Sequence, residues 1–266
     1  MPFAYVNGIK LYYEVYGSGF PLLMIMGLGG NVLWWDPLIL NEFSKHFKVV
    51  VFDNRGSGRS DKPDGEYSIK IFADDTVELM NSLGINKAHI LGISMGGMIA
   101  QEIALSYPER VEKLVLVVTH PGGTLAVPPR EEAIRFFTMD RSKMSAEEIA
   151  RETLKVLHPP EYLEKHRDVV EKIIKRYSTY QTPPEIYAKQ LQALLNFDAT
   201  ERLKNLKHPT LIVGAGKDLI VPPENSKILA QLIPNSRLVI FEDAGHALLG
   251  QKREEFIKIV LEFLKN

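Results

Sequence analysis

The chain has no cysteine, which excludes disulfides, thiol nucleophiles and cysteine-held zinc or iron–sulfur centres. It also lacks any apolar run near the roughly 18 to 20 residues that span a bilayer. Its first ten residues, MPFAYVNGIK, do not show the basic-then-apolar layout of a signal peptide. Charge of one sign is missing too: 32 Lys and Arg against 33 Asp and Glu leave a formal net charge of −1. That balance offers no footprint for a phosphate backbone or an anionic membrane. No pair among the 7 histidines stands at metal-ligand spacing in a fitting context, and there is no internal repeat, heptad series or low-complexity tract. These absences predict a soluble, cytoplasmic protein with no bound metal, no nucleic-acid partner and no membrane insertion. They leave monomer and dimer equally open.

What is present is core-forming material: 266 residues with 45% hydrophobic content, enough for one large domain or a domain carrying an insertion. The opening AYVNGIKLYYEVYG sets Asn7-Gly8 between alternating apolar residues, a strong hairpin signal and therefore an antiparallel edge. The runs PLLMIMG, FKVVVFD, AHILGIS and KLVLVVT are too short for helices and read as buried parallel strands. Helical patterns such as IKIFADDTVELMNSLG lie between them, as in a doubly wound α/β sheet. From Leu125 to Phe197 the strand pattern stops, and amphipathic stretches punctuated by VPPR, HPPE and QTPPE take over. Strand logic resumes with PTLIVGAGKD and SRLVIFEDAGH. The predicted organisation is a core in two parts, 1–124 and 198–266, around a helical cap insertion, 125–197.

HILGISMGGMI, residues 89–99, carries the chemistry. A G-x-S-x-G match arises by chance in roughly one chain in ten of this length at average glycine use, so context decides. Ser94 ends a strand run and opens a helix, the setting in which such a turn strains the serine and projects its hydroxyl above the sheet. Gly92 and Gly96 fit the same geometry, because side chains there would collide where strand and helix approach. A serine hydroxyl is a weak nucleophile that needs a base and a group to orient that base. His246, in EDAGHALL, and Asp218, in GAGKDLIVPP, both fall just past strand runs, where sheet proteins place functional loops. Asp243 is nearer His246 in sequence but ends its own strand, where holding its loop is the expected job. The order Ser94, Asp218, His246 is that of an α/β-hydrolase and of no other triad fold.

On these residues the chain resembles the α/β-hydrolase fold superfamily over nearly its full length. Within it the chain is most similar to cofactor-free serine esterases and the 3-oxoadipate enol-lactonase-like group, which share GISMGG and a helical cap. DNRGSGRSDKP is a turn typical of the superfamily. The resemblance implies an α/β-hydrolase fold: a mostly parallel doubly wound sheet with an N-terminal antiparallel hairpin and an inserted helical cap. It implies an oxyanion hole built from the backbone N–H groups of Leu28 and Met95. Where the family usually shows His-Gly this chain has Met26-Gly27, so the support normally given by that histidine must come from elsewhere. From their positions near strand ends, in the oxyanion loop or on the cap helices, Gly27, Trp34, His120, Phe136 and Leu194 are expected to contribute to the substrate pocket.

RGSGRS has neither a P-loop lysine nor G-x-G-x-x-G spacing, so it reads as a structural turn, with Asp53 and Arg55 as an ion pair or loop brace. His89, His158, His166 and His208 read as structural or solvent-facing. Of Trp34 and Trp35, one is expected in the core and the other in the pocket. Phe136, Phe137, Met139, Leu191, Leu194 and Leu195 recur at near-helical spacing, which predicts packing of cap on core with some residues in the pocket roof. The function expected is a carboxylesterase: a cofactor-free serine hydrolase acting on a small-molecule ester with a hydrophobic acyl or alkoxy part through an acyl-enzyme on Ser94. The alternatives are enol-lactone or C–C bond hydrolysis or perhydrolysis on the same triad, and a non-catalytic ligand receptor. Dehalogenases and epoxide hydrolases carry Asp where Ser94 stands.

Overall fold

In the computed structural model, which describes residues 2–266, Asn7 and Gly8 both take positive φ, 46° and 79°. That mirror-image turn matches the twist of two flanking strands. It folds β1 (Phe3–Val6) onto β2 (Ile9–Tyr16) with Val6 opposite Ile9. The short apolar runs form β3 (Pro21–Ile25), β4 (Lys48–Phe52), β5 (Ala88–Ile93), β6 (Val111–Val117), β7 (Thr210–Ala215) and β8 (Ser236–Phe241). The eight strands form one sheet in the order β1-β2-β4-β3-β5-β6-β7-β8. β1 and β2 pair antiparallel, and every pairing from β4 to β8 is parallel. The expected hairpin-edged, mostly parallel sheet is therefore present.

The helices are α1 (Pro37–Ser44), α2 (Ile69–Ser82), α3 (Met95–Ser106), α4 (Glu131–Thr138), α5 (Ala146–Leu157), α6 (Pro160–Lys165), α7 (Arg167–Ser178), α8 (Pro184–Leu195), α9 (Pro223–Leu232), α10 (Leu248–Gln251) and α11 (Arg253–Lys265). None is long and apolar enough to cross a membrane. Side chains alternate across a strand, and β3 and β4 show the result. Leu23, Ile25, Val50 and Phe52 pack with Phe72 of α2, Ile99 of α3 and Leu229 of α9 on one face. Leu22, Met24, Val49 and Val51 pack with Phe43 of α1 and Phe256 and Val260 of α11 on the other. Burial on both faces explains why every residue of β5 and β7 is buried and why these strands read as unbroken apolar runs.

The five helices α4 to α8 lie between β6 and β7, with their own cluster of Leu154, Leu157, Ile174 and Tyr177. An isolated bridge between Gly122 and Asp198 closes the neck of this segment. Because β3 lies between β4 and β5, the chain leaves β3 in one direction and returns on its other side, opening a crevice at the carboxyl ends of these strands.

Asp53 and Arg55 do not pair, contrary to the sequence reading. Arg55 makes a two-pronged bond to Asp75 of α2 at 2.7 and 2.8 Å. Asp53, fully buried, accepts the N–H groups of Val32 at 2.7 Å and Arg59 at 2.8 Å. The chain turns directly after β4, so the same-face relation of residues two apart in a strand fails there. The loop-brace half of the expectation describes Asp53 well. His89 is buried between the rings of Phe20 and Phe47, where burial pushes its imidazole down to about 4. It stays neutral and acts as core.

Candidate active site

Ser94 stands between β5 and α3 with φ 54° and ψ −121°, a conformation that costs about 1–3 kcal/mol in a residue with a side chain. The neighbours hold it there. Its N–H donates to Val117 O at 2.9 Å, and its carbonyl accepts from Gly97 N at 2.8 Å and Thr119 Oγ1 at 2.7 Å. Its hydroxyl does not cap α3, which leaves Oγ for a ligand. A Cβ on Gly92 would run into the Gly96 carbonyl oxygen, and one on Gly96 into that of Ile25. The two glycines let strand, helix and β3 meet at backbone distance.

Asp218 follows β7 and His246 follows β8, and the structure joins them: His246 Nδ1 lies 2.7 Å from Asp218 Oδ2. Both are buried, at 7% exposure for His246 and 2% for Asp218. The other carboxylate oxygen, Oδ1, accepts the N–H groups of Ile220 at 2.8 Å and Val221 at 2.9 Å, so the carboxylate cannot turn. A carboxylate at Nδ1 makes that nitrogen the N–H of a neutral ring and leaves Nε2 with the lone pair. The rival Asp243 is exposed and pairs with Lys252 at 2.6 Å, away from His246.

Met95 is the first residue of α3, so its N–H has no acceptor within the helix. Leu28 lies in the loop after β3, and among the hydrogen bonds of the described residues none uses its N–H. The loop passes directly over the serine: a Cβ built on Gly27 would sit 3.1 Å from Ser94 Cβ and 3.7 Å from its Oγ. Support for this loop comes partly from the end of β4, where Asn54 Nδ2 donates to Met26 O at 3.0 Å and Asp53 takes the Val32 N–H.

Ser94 and His246 line one cavity of about 430 Å³, together with Gly27, Leu28, Trp34, His120, Phe136 and Leu194. Trp34 stacks on Tyr177 of α7 with ring centroids 4.0 Å apart, whereas Trp35 is a core residue at 1% exposure. Phe137, Leu191 and Leu195 also reach the cavity, and Met139 does not. His120 Nδ1 accepts the Gly122 N–H at 3.1 Å, which places the proton of a neutral ring on Nε2. Burial, and to a lesser degree the neighbouring His246, push its imidazole down to about 4.

Of the two readings open for His158 the structural one holds, since it is buried at 4% exposure, and it also lines this cavity, which the sequence did not indicate. HPPE resembles a surface turn, but the end of α5 docks on the loop after β8, where Ala247 N–H bonds to Leu157 O at 2.9 Å. Burial holds His158 at about 4 and its Nδ1 lies 3.2 Å from Leu154 O. His246 thus has two neutral imidazoles for company.

Three arginines line the cavity, and no sequence signal marked them. Arg176 is spent on the carbonyls of Leu33, Trp34 and Trp35, and Arg253 on Asp36 at 2.7 Å. Arg141 has no carboxylate within ion-pair distance among the described residues. Its guanidinium carbon stands 4.1 Å from the ring centre of Tyr187 and 4.6 Å from that of Phe136. Among the described residues no three His, Asp or Glu side chains converge as a metal-ligand set.

Residues 21–252 match the family model described as alpha/beta hydrolase fold. A protein of Serratia proteamaculans named for carbamate hydrolysis, RutD, is 33% identical over 263 residues, covering 96% of each chain. The crystal structure of the enol-lactonase from Burkholderia xenovorans LB400 superposes with a TM-score of 0.87 at 28% identity over 100% of both chains. A thermophilic esterase from Thermogutta terrifontis gives a TM-score of 0.82 at 30% identity, covering 97% of this chain and 93% of that one.

Proposed function

The chain belongs to the α/β-hydrolase fold family, and on that premise we propose that it is a carboxylic ester hydrolase with Ser94 as nucleophile. The observation that carries this reading is one cavity holding a strained, uncapped serine and an imidazole that a buried, doubly anchored carboxylate fixes at 2.7 Å. His246 Nε2 takes the Ser94 proton as Oγ attacks the ester carbonyl, and Asp218 stabilises the imidazolium. The N–H groups of Leu28 and Met95 receive the oxyanion, each worth about 10² to 10³ in rate at such a site. His246 then protonates the departing alkoxide, and water releases the acyl group from Ser94 by the same steps in reverse roles.

The five helices between β6 and β7 act as the cap, and their aromatic and aliphatic side chains suit a hydrophobic acyl or alkoxy group. A fluorophosphonate probe is expected to add to Ser94, read by mass spectrometry of the labelled peptide. Hydrolysis of p-nitrophenyl butyrate should exceed that of the matching carbamate and of an enol-lactone. No adduct at Ser94, or an adduct elsewhere, would defeat the assignment. Ligand binding without turnover of any of the three substrates would favour a receptor.

A second reading concerns the far end of the substrate and rests on Arg141. A guanidinium with no carboxylate partner among the described residues, set against two aromatic faces in an apolar cavity, is built to receive a planar anion. Among the described residues its guanidinium donates to one backbone carbonyl, Phe136 O at 3.3 Å, and it also interacts with the side chain of Tyr187. Such a cavity favours esters or lactones that carry a carboxylate away from the scissile carbonyl. Arg141→Gln is expected to lower kcat/KM for a dicarboxylic acid half-ester by about tenfold, as loss of one charged hydrogen bond implies, with neutral esters changed less than about twofold. Equal losses on both substrates would make Arg141 a packing residue.

A further inference from the structure

The loop that carries the Leu28 N–H is a four-residue turn, closed by Gly30 N–H on Gly27 O at 3.2 Å. Gly29 carries the positive φ, 69°, that a type II turn demands at its third position. Because a peptide is planar and trans, the bond to Gly27 O also sets the opposite side of that peptide, the Leu28 N–H. The turn therefore aims the oxyanion donor only while it keeps this conformation. Its central peptide, Leu28–Gly29, is the unit whose rotation converts one turn type into another, and the support from β4 does not touch it.

We infer that Gln190, on α8, is the positioning residue that locks this peptide and so aims the Leu28 N–H at the substrate carbonyl. Its carboxamide is fully buried and 161 positions away in sequence, yet Oε1 accepts the Gly29 N–H at 3.0 Å. Nε2 donates to Arg55 O at 2.8 Å and Ser57 Oγ at 3.1 Å, so the amide is held in one orientation by the RGSGRS turn. Thr182 Oγ1 adds a bond to Gly29 O at 3.2 Å. A buried amide with all its groups used is costly to misplace. The cap, through Gln190, thus performs the task left open by Met26-Gly27, and RGSGRS gains a role as the abutment of that amide.

The inference rests on the ester-hydrolase reading, and its test separates the two. Gln190→Met keeps length and volume but removes the acceptor. It is expected to lower kcat on p-nitrophenyl butyrate by about 30-fold with KM within about threefold, since misaiming of one donor costs transition-state rather than ground-state binding. Affinity for a trifluoromethyl ketone should fall in parallel with kcat. Ser57→Ala removes one of the two bonds that orient the amide but leaves the Gly29 acceptor and the bond to Arg55 O, so it should lower kcat clearly less than Gln190→Met does. In the wild type, the Gly29 amide should exchange hydrogen at least about tenfold more slowly than the Leu28 amide, because only the former is engaged. A folded Gln190→Met with wild-type kcat, an equal loss in Ser57→Ala, or equal exchange at the Leu28 and Gly29 amides would overturn the inference. If the wild type fails to hydrolyse the ester, the ester reading falls, and amide exchange still decides the lock.

Discussion

Ser94→Ala is expected to lower kcat on p-nitrophenyl butyrate by about 10⁴-fold or more and to abolish fluorophosphonate labelling, the residual rate being what the oxyanion hole and binding supply without a nucleophile. The folded state should not notice. The hydroxyl does not cap α3, the strained φ of 54° is as uncomfortable for alanine as for serine, and the bonds that hold the turn run through the backbone of residue 94. Thermal midpoint and affinity for a neutral product alcohol should therefore stay near wild-type values. The measurement is steady-state turnover beside a melting curve. Activity within about tenfold of wild type would remove Ser94 from the chemistry, and a collapse of the melting curve would make it a structural turn residue.

What could be read from the sequence follows a physical rule. Asn7-Gly8, the GISMGG turn and the residues just past β7 and β8 are legible because local backbone chemistry or strand-end position singles them out. The pairing of His246 with Asp218 rather than Asp243 was legible for the same reason: a residue at a strand end is spent on its own loop, here on Lys252. The ion-pair half of the Asp53–Arg55 reading failed because closeness in sequence says nothing about which way side chains leave a tight turn, while the loop-brace half holds for Asp53. The place of His158 on the cavity wall was not legible because HPPE looks polar, and only the docking of α5 on the loop after β8 buries it there. Trp34 and Trp35 are indistinguishable as letters, and their fates are set by Tyr177, which lies in α7. Gln190 and Arg141 sit in ordinary amphipathic helix or loop sequence. Their meaning comes from partners such as Gly29 and from the absence of a carboxylate, neither of which periodicity encodes.

Asp218→Asn tests the other end of the proposed relay and exploits an asymmetry of the site. The N–H groups of Ile220 and Val221 both point at Oδ1, so an asparagine must turn its carbonyl oxygen toward them and its NH₂ toward His246. The alternative places an NH₂ against two backbone donors and leaves all of these buried groups unsatisfied. An NH₂ facing Nδ1 requires that nitrogen to accept, which moves the ring proton to Nε2, where it blocks removal of the Ser94 proton. The serine-protease template puts the cost of this wrong tautomer at about 10⁴ in kcat, and a loss on the order of 10³ to 10⁴ is expected here with KM little changed. Fluorophosphonate labelling, which needs the same deprotonation, should slow by a similar factor, while Asp243→Asn keeps both rates within about twofold because it only releases Lys252 from an exposed pair. The reverse outcome, a silent Asp218→Asn beside a crippled Asp243→Asn, would transfer the orienting role to Asp243 and require the loop after β8 to move in solution.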